Sequence, residues 1–202
     1  MDIDSTVEKY IKKIYSGKSG FGLKEDDVKK SQNVFTTYGE MLPESLTKLV
    51  NYLNMNDNDV VYDLGSGIGK VINQVFLQRP VKKAVGVEIV KSRNEKAIDI
   101  KNKLKEKFND TKFKNQELDF IRGDMLEQDL SDSTIIYMCS TCFSDEFLTR
   151  LVREKFNTSP NLRAVVTLKK LPINPNGLNR NEVIDTPCTW SRGVKSYVYT
   201  KN

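Results

Sequence analysis

The sequence predicts an α/β fold with a mostly parallel, doubly wound sheet. Short apolar segments alternate along the chain with segments of helical periodicity, and such alternation places helices on both faces of a parallel sheet. The predicted strands are residues 60–64, 84–87, 118–122, 135–138 and 164–168, and the predicted helices lie near 69–78, 91–108 and 144–156. A glycine-rich turn joins the first strand to its helix, as is typical of the ligand edge of such a sheet.

After Lys169 the alternation of strand and helix segments ends, and prolines and glycines become frequent. Residues 186–190 and 195–200 are each consistent with a strand, and Ser191, Arg192 and Gly193 separate them. We expect these two strands to form a C-terminal antiparallel hairpin, which brings the sheet to seven strands.

The N-terminal region has its own helical signals. Apolar residues recur at helical spacing over residues 4–16, a second short polar helix is indicated over 24–30, and a third helix is indicated over 43–53. We expect residues 1–34 to form a small helical arm and residues 35–202 to form one domain.

The composition narrows the class of protein. The 202 residues include 32 basic and 27 acidic side chains and no histidine, which gives a net charge of +5. This modest excess favours an acidic partner, and we expect only weak nucleic-acid contact through basic residues. No apolar stretch approaches the roughly 20 residues that span a bilayer, and the acidic N-terminus does not resemble a signal peptide. We therefore expect an intracellular protein with no membrane association.

The three cysteines do not indicate a metal site. Cys139 and Cys142 have the Cys-x-x-Cys spacing, but a typical zinc site needs four ligands, and only Cys188 remains in a chain without histidine. We expect reduced thiols and no metal. The absence of histidine also leaves no imidazole as a general base near neutral pH.

The strongest chemical signal is a glycine-rich turn between two acid-tipped strands. Asp63 precedes Gly65, Gly67 and Gly69, and Glu88 follows 19 residues after Gly69. Glycines let a ligand approach the backbone where a strand turns sharply into a helix. An acid at the end of the next parallel strand accepts hydrogen bonds from ribose hydroxyls. The pattern predicts a nucleoside-cofactor site.

The spacing within the turn distinguishes among nucleoside ligands. A dinucleotide fingerprint needs a glycine three residues after Gly67, where Lys70 stands. A Walker phosphate loop needs Ser or Thr after Lys70 and a glycine five residues before Gly69, and both are absent. NAD and ATP are therefore weaker interpretations than S-adenosylmethionine, which has no pyrophosphate and carries a charged amino-acid tail. A glycine-rich turn with a purely structural role is the alternative.

Further polar groups follow the other strands, where ligands of a doubly wound sheet lie. Asp124 would accept from an adenine amino group, and Met125 would cover the ring with its polarizable side chain. A simple turn at Gly123 and Asp124 is the alternative. Cys139 and Lys169 stand after the fourth and fifth strands.

Several motifs together resemble those of the Dot-one (disruptor of telomeric silencing) family. They are Tyr38-Gly39-Glu40, the glycine turn followed by Gly86-Val-Glu88, Arg122-Gly-Asp124, and Trp190 with Tyr197 seven residues later. The resemblance runs from about Thr37 to Thr200. It implies a Rossmann-like class I methyltransferase fold and S-adenosylmethionine-dependent methylation of a histone lysine. It also implies histone or nucleosome as partner and, in a eukaryote, a nuclear location; otherwise the location would be cytoplasmic.

The resemblance implies roles for single positions. The cofactor-binding residues would be Tyr38, Glu40, Met41, Asp63, Gly65, Gly67, Lys70, Glu88, Asp124 and Met125. The channel that admits a lysine would be lined by Trp190, Tyr197 and Phe143, with Cys139 at its mouth. An apolar aromatic channel lowers the lysine pKa from about 10.4 by desolvating the ammonium, so catalysis would need no histidine.

Some positions depart from the family pattern. Cys139 stands where family members have an asparagine, so a thiol replaces a hydrogen-bonding amide. The resemblance therefore does not determine the turnover rate or the degree of methylation. Lys70 replaces a glutamine, and Met41 and Met125 replace a threonine and a phenylalanine. The basic tail of larger members is not in this sequence. Contact with chromatin would then fall to the N-terminal arm, another subunit or the lysine-bearing helices.

Other functions stay open. A nucleic-acid amino-methyltransferase usually carries Asn or Asp-Pro-Pro-aromatic after the fourth strand to hold a flipped base, and the segment 139–142 lacks it. A cytosine-C5 enzyme needs a cysteine nucleophile, and Cys188 lies far along the chain from that strand. Trp190 and Tyr197 would alternatively pack across the hairpin without forming a channel. The acceptor could be a non-histone protein, or the protein could bind cofactor as an interaction module without catalysis.

Overall fold

A computed structural model describes residues 3–21, 39–108 and 112–201. The described helices are α1 (Ile3–Ile14), α2 (Pro43–Tyr52), α3 (Lys70–Gln78), α4 (Lys91–Phe108) and α5 (Asp145–Glu154), with a short 3-10 helix at Phe156–Thr158. The strands are β1 (Val60–Leu64), β2 (Lys83–Glu88), β3 (Glu117–Arg122), β4 (Ile135–Met138), β5 (Ala164–Thr167), β6 (Asn179–Asp185) and β7 (Lys195–Thr200). The predicted helix over 24–30 lies outside the described residues.

The seven strands form one sheet in the order β3-β2-β1-β4-β5-β7-β6. Strands β1 to β5 are parallel, and β7 pairs antiparallel with both β5 and β6. All five residues of β1 are buried, as expected for a strand covered on both faces. The order reverses between β1 and β4, and ligands of doubly wound sheets lie in the crevice at such a point. The predicted fold class is confirmed.

The position of the first hairpin strand was predicted wrongly. Strand β6 occupies Asn179–Asp185, whereas residues 186–190 form an irregular connection to β7. β6 is an edge strand whose residues are almost all exposed, so it carries no apolar alternation that a sequence could reveal. Pro187 has no backbone N–H to donate to a ladder. The connection makes hydrogen bonds with residues 39–45, and the N–H groups of Thr186 and Cys188 also donate to the Val194 and Ser191 carbonyls just before β7.

Helix α1 packs against the domain rather than standing apart. Ile11 and Tyr15 are almost fully buried in the same apolar cluster as helices α2 and α3. Asp4 forms a two-pronged ion pair with Arg79 at 2.7 and 3.0 Å. This pairing is the main reason that the pKa of Asp4 is lowered. The predicted first helix is confirmed, and both apolar and charged contacts fasten it.

Helix α4 is the most lysine-rich helix in the described ranges. Arg93, Asn94, Ala97, Ile100 and Leu104 are buried at helical spacing, and the lysines lie on the remaining surface. The lysine face is therefore a solvated face, as helical amphipathicity predicts. In the part of the chain that the structure describes, no helix combines the length and the apolar character needed to cross a membrane.

A buried ion pair braces the sheet at the end opposite the crevice. Asp59 is 2% exposed and accepts from the Nε and Nη2 atoms of Arg163, each at 2.7 Å. Thr134 Oγ1 and the Asn56 N–H donate to the same carboxylate. Burial raises the pKa of Asp59, but these hydrogen bonds outweigh it and leave the pKa below its ordinary value.

We predict that Arg163→Met lowers the free energy of unfolding by about 3 kcal/mol at pH 7, because the Asp59 carboxylate would remain buried without its cation. Since the folded pKa of Asp59 is depressed, the contribution of the pair is present above the ordinary pKa of 3.8 and is lost as the pH falls through the folded value. Urea unfolding at pH 7 and pH 3 measures the difference. Arg150→Met, at an exposed ion pair with Glu154, is the control and should cost well under 1 kcal/mol. A pH-independent difference for Arg163→Met would contradict the assignment.

Candidate cofactor site

A cleft opens at the carboxyl ends of β1 and β4. It is lined by Gly39, Glu40, Met41, Asp63, Gly65, Ser66, Gly67, Lys70, Val71, Tyr137 and Cys139. Seven of the predicted site residues, Glu40, Met41, Asp63, Gly65, Gly67, Lys70 and Cys139, therefore come together around one opening. Tyr38, the first residue of the Tyr-Gly-Glu motif, lies outside the described residues.

The glycine turn needs glycine for its backbone conformation. Gly65, Gly67 and Gly69 have φ values of +88°, +56° and +84°, in the left-handed region that side chains disfavour. The N–H groups of Gly65 and Ser66 both donate to the Val87 carbonyl, at 2.8 and 3.0 Å. The turn is thereby tied to β2, and α3 begins immediately after Gly69.

Two glycines also allow Phe120 of β3 to pack closely behind the turn. A methyl group at Gly69 or at Gly86 would come within 2.6 Å of the Phe120 ring. A Cβ atom essentially never approaches another atom so closely, so both positions require the absence of a side chain. The Phe120 ring therefore packs against both the end of the turn at Gly69 and strand β2 at Gly86.

Asp63 is the most unusual group of the cleft. It is 2% exposed, and no hydrogen-bond partner in the described residues reaches its Oδ1 atom. Burial, with a further contribution from the nearby charge of Glu88, raises the pKa of Asp63 well above its ordinary value of 3.8. A buried carboxylate oxygen without a partner is costly, and a cationic ligand group in the cleft would satisfy it.

Glu88 is buried at the end of β2 and is held by backbone donors. Its Oε2 accepts from the Gly67 N–H and its Oε1 from the Val90 N–H, both at 2.8 Å. Burial raises the pKa of Glu88, and these hydrogen bonds together with Arg93 offset part of that rise. Each carboxylate oxygen has a second lone pair, so the group retains capacity for ligand hydroxyls.

The loop at residues 39–42 is held in place by the connection before β7. The Thr189 N–H donates to the Glu40 carbonyl at 2.8 Å, and the Leu42 N–H donates to the Pro187 carbonyl at 3.2 Å. Trp190 lies directly against Gly39, where any side chain would overlap the indole ring. The loop that lines the cleft therefore depends on residues about 150 positions later in the chain.

Glu40 and Lys70 form an ion pair at the cleft. Both side chains are largely buried, and the Lys70 ammonium also lies 5.2 Å from the centre of the Tyr15 ring. The pair brings one positive and one negative group to the same wall as Asp63. The cleft thus presents complementary charges to a zwitterionic group.

Neither the Cys139 thiol nor the Tyr137 phenol is suited to act as a base at neutral pH, because both remain protonated. Burial raises the pKa of Cys139 to about 11, so the thiol is protonated. Burial also raises the pKa of Tyr137, which pairs with Asp63 across β1 and β4. Within the described ranges, no three His, Cys, Asp or Glu side chains converge in an arrangement that could hold a metal ion.

Asp124 and Met125 follow β3 near the turn. The Asp124 Oδ1 accepts from the Leu126 N–H at 2.9 Å, so one carboxylate oxygen already stabilises a local turn. The Met125 methyl lies 4.0 Å from where a Cβ would stand on Gly65. Met125 therefore reaches the glycine turn, which is the placement expected of a side chain that covers a ring.

The three aromatic residues predicted for a channel do not all share one environment. Phe143 stacks on Phe147 and, like Tyr197, packs on the apolar cluster beneath α5. Tyr197 pairs with Thr167 and Val183 in the sheet. Trp190 is 44% exposed against the 39–42 loop. A channel formed by these residues therefore stays a prediction.

Apart from Gly39, which belongs to the Tyr-Gly-Glu motif, three cleft residues were not identified from the sequence. Ser66, Val71 and Tyr137 line the cleft, and the Ser66 hydroxyl is buried with no partner in the described residues. Tyr137 lies one residue before the end of β4, so the rule that ligands lie at carboxyl ends could have indicated it. Ser66 lies between two glycines of the turn and Val71 lies in the helix that follows it, and no sequence pattern marked either residue as part of a site.

The comparisons with known proteins decide the family. A family model described as "Histone methylation protein DOT1" matches residues 23–196, most of the chain. The chain belongs to the DOT1 family. This confirms the resemblance found in the sequence motifs.

Two curated relatives illustrate the range of similar proteins. A histone-lysine N-methyltransferase of Caenorhabditis elegans, specific for H3 lysine-79, is 29% identical over 165 residues, which are 78% of this chain and 17% of that protein. A protein-lysine N-methyltransferase of Saccharolobus islandicus is 30% identical over 99 residues, 48% of this chain and 55% of that protein. This DOT1 family chain spans about a sixth of the C. elegans protein and about half of the Saccharolobus one.

Solved structures share the fold at low identity. An RNA methyltransferase of Salinibacter ruber in complex with S-adenosylhomocysteine has a TM-score of 0.56 and 21% identity, covering 78% of this chain and 90% of that chain. A magnesium protoporphyrin IX methyltransferase of Synechocystis with bound S-adenosylmethionine has a TM-score of 0.57 and 13% identity, covering 100% and 98%. These likenesses place the DOT1 family chain in the Rossmann-like methyltransferase fold.

We predict that Asp63→Asn stabilises the ligand-free protein by about 1 kcal/mol at pH 8, because it removes a buried negative charge beside Glu88. A carboxyl whose folded pKa is raised destabilises the fold above its ordinary pKa of 3.8 and has no effect below it, so the gain should disappear near pH 3. Chemical denaturation at both pH values measures it.

The control is Asp57→Asn, the same change at an exposed carboxyl before β1, which should leave the free energy of unfolding almost unchanged. An Asp63→Asn protein that is less stable than the wild type at pH 8 would show that the carboxylate is satisfied in the folded protein.

Proposed function

We propose that the protein is an S-adenosylmethionine-dependent protein-lysine N-methyltransferase with a histone lysine as acceptor. The observation that carries the proposal is the buried Asp63 Oδ1 atom, which has no hydrogen-bond partner in the described residues and lies at the glycine turn of a chain in the DOT1 family. A cofactor with a cationic amino group would supply a partner for this buried carboxylate oxygen.

The residues of the cleft fit this cofactor. Asp63 would accept from the ammonium of the methionine tail, and Lys70 would contact its carboxylate. Gly65 and Gly67 would leave room for the ligand against the backbone, Glu88 would accept from the ribose, and Asp124 and Met125 would contact the adenine. When bound, the cofactor supplies an electrophilic methyl group on a positively charged sulfur.

The chain must also deliver a neutral lysine amine. We propose that Phe143, Tyr197 and Trp190 line its approach and lower its pKa by excluding water. The Cys139 thiol is protonated at neutral pH and the chain has no histidine, so neither group would act as the base, and we propose that the proton leaves to water. Placement of amine and methyl in line supplies much of the rate enhancement.

The acceptor class follows from the relatives. The C. elegans relative, a histone-lysine methyltransferase, supports a histone as acceptor, and the Saccharolobus relative, a protein-lysine methyltransferase, supports a lysine-bearing protein in general. A non-histone protein is therefore the second candidate. Basic residues on α4 would contact the nucleic acid of a nucleosome weakly. With a histone acceptor in a eukaryote, the protein would act in the nucleus. We further propose that residues 35–202 form the methyltransferase domain and that 1–34 are its arm.

We predict that labelled S-adenosylmethionine transfers its methyl group to protein. The protein is incubated with intact nucleosomes, free histones, an unrelated lysine-rich protein or total RNA, and the label is followed by electrophoresis. Label on nucleosomes or histones supports the main proposal, and label on the unrelated protein alone supports the second candidate.

Asp63→Ala serves as the matched control, because it should abolish labelling while the chain stays folded. Label in RNA alone would contradict lysine methylation. Tight binding of S-adenosylhomocysteine in calorimetry with no label on any macromolecule would indicate an interaction module.

We predict that Cys139→Asn keeps or increases turnover, by up to about fivefold. One added hydrogen bond to the reacting amine is worth about 1 kcal/mol, and 1.4 kcal/mol corresponds to a factor of ten in rate. Single-turnover kinetics on the acceptor found above measure the rate. Cys142→Ser, in the same turn but away from the cleft lining, should change it little. Complete loss of activity in Cys139→Asn would show that the thiol has a role of its own.

A further inference from the structure

The end of helix α1 meets the back of the glycine turn. Tyr15 directly follows α1 and is 4% exposed. Its hydroxyl donates to the Ile68 carbonyl at 3.1 Å and accepts from the Asn73 Nδ2 at 2.6 Å. A side chain from the N-terminal region therefore hydrogen-bonds the backbone of the turn, 53 residues away in sequence.

The bonded carbonyl lies at the centre of the turn. Ile68 stands between Gly67 and Gly69, which both have positive φ and therefore little steric resistance to reorientation. The Gly67 N–H is held by Glu88 on one side, and the Ile68 carbonyl is held by Tyr15 on the other. The two bonds together restrict the peptide groups that line the cleft.

The same tyrosine also supports the charged wall of the cleft. Its ring lies 5.2 Å from the Lys70 ammonium, which pairs with Glu40. Burial raises the pKa of the Tyr15 hydroxyl, so it stays a neutral donor throughout the physiological range. One side chain thus contacts both the backbone and the cation of the cofactor site.

We propose that Tyr15 is a positioning residue for the cofactor site, so that helix α1 is a working part of that site. The identity of the ligand rests on the proposed function. The contact of Tyr15 with the turn does not, because both of its partners belong to the protein itself.

The test compares Tyr15→Phe with Tyr10→Phe. The first change keeps the ring near Lys70 and removes only the hydroxyl. The second removes the same atom from Tyr10, which lies within α1 and whose ring packs on Phe108. Calorimetry with S-adenosylhomocysteine should show a three- to tenfold higher Kd for Tyr15→Phe and an unchanged Kd for Tyr10→Phe. Tyr15→Leu, which also removes the ring, should weaken binding further.

A purely structural role predicts a lower melting temperature for Tyr15→Phe with a wild-type Kd, and that result would overturn the proposal. Amide hydrogen exchange in the ligand-free proteins gives a second measurement that needs no ligand. Exchange at residues 67–70 should be faster in Tyr15→Phe than in wild type, and unchanged exchange would also overturn it. If the wild type itself fails to bind S-adenosylhomocysteine, the proposed function is wrong, while hydrogen exchange still decides the role of Tyr15.

Discussion

The hydrogen bonds that hold the backbone of the turn after β1 are the constraint on which the rest of the site depends. The Val87 carbonyl accepts from two N–H groups at the start of the turn, Glu88 accepts from Gly67, and Tyr15 donates to Ile68. Three positive φ angles make this path available only to glycine. Because α3 starts at the end of the turn and β2 supplies its acceptors, a displaced turn would also displace the carboxylates around the cleft.

The charges of the cleft are unfavourable for the ligand-free protein. Asp63 and Glu88 are both buried, and burial raises the pKa of each. The opposite end of the sheet has the reverse arrangement, since Arg163 satisfies the buried Asp59 and the pKa of Asp59 is lowered. At the ligand cleft the buried Asp63 Oδ1 atom therefore has no hydrogen-bond partner in the described residues, whereas the buried Asp59 carboxylate at the opposite end is paired with Arg163. Such a division is common at functional sites, where stability is lost in favour of binding.

Much of this architecture could be predicted from local patterns. The strands β1 and β4 coincide with short apolar runs, Asp63 and Glu88 stand at the carboxyl ends of β1 and β2, and the glycines follow β1. β6 could not be found in this way, because an exposed edge strand carries no burial pattern. The same holds for the hydrogen bonds between Thr189 and the loop at Glu40, which join segments far apart in the chain and leave no periodic signal. The mutual placement of Phe143, Tyr197 and Trp190 is likewise beyond what spacing can predict.

The sequence by itself determined the fold class, the resemblance to the family and the residue types of the cofactor turn, because these depend on periodicity and on short motifs. Only the tertiary structure decided that the Asp63 Oδ1 atom lacks a partner in the described residues, that Lys70 pairs with Glu40, and that Tyr15 hydrogen-bonds the turn. These facts depend on burial and on distances between remote segments, which arise only when the helices and the sheet pack together.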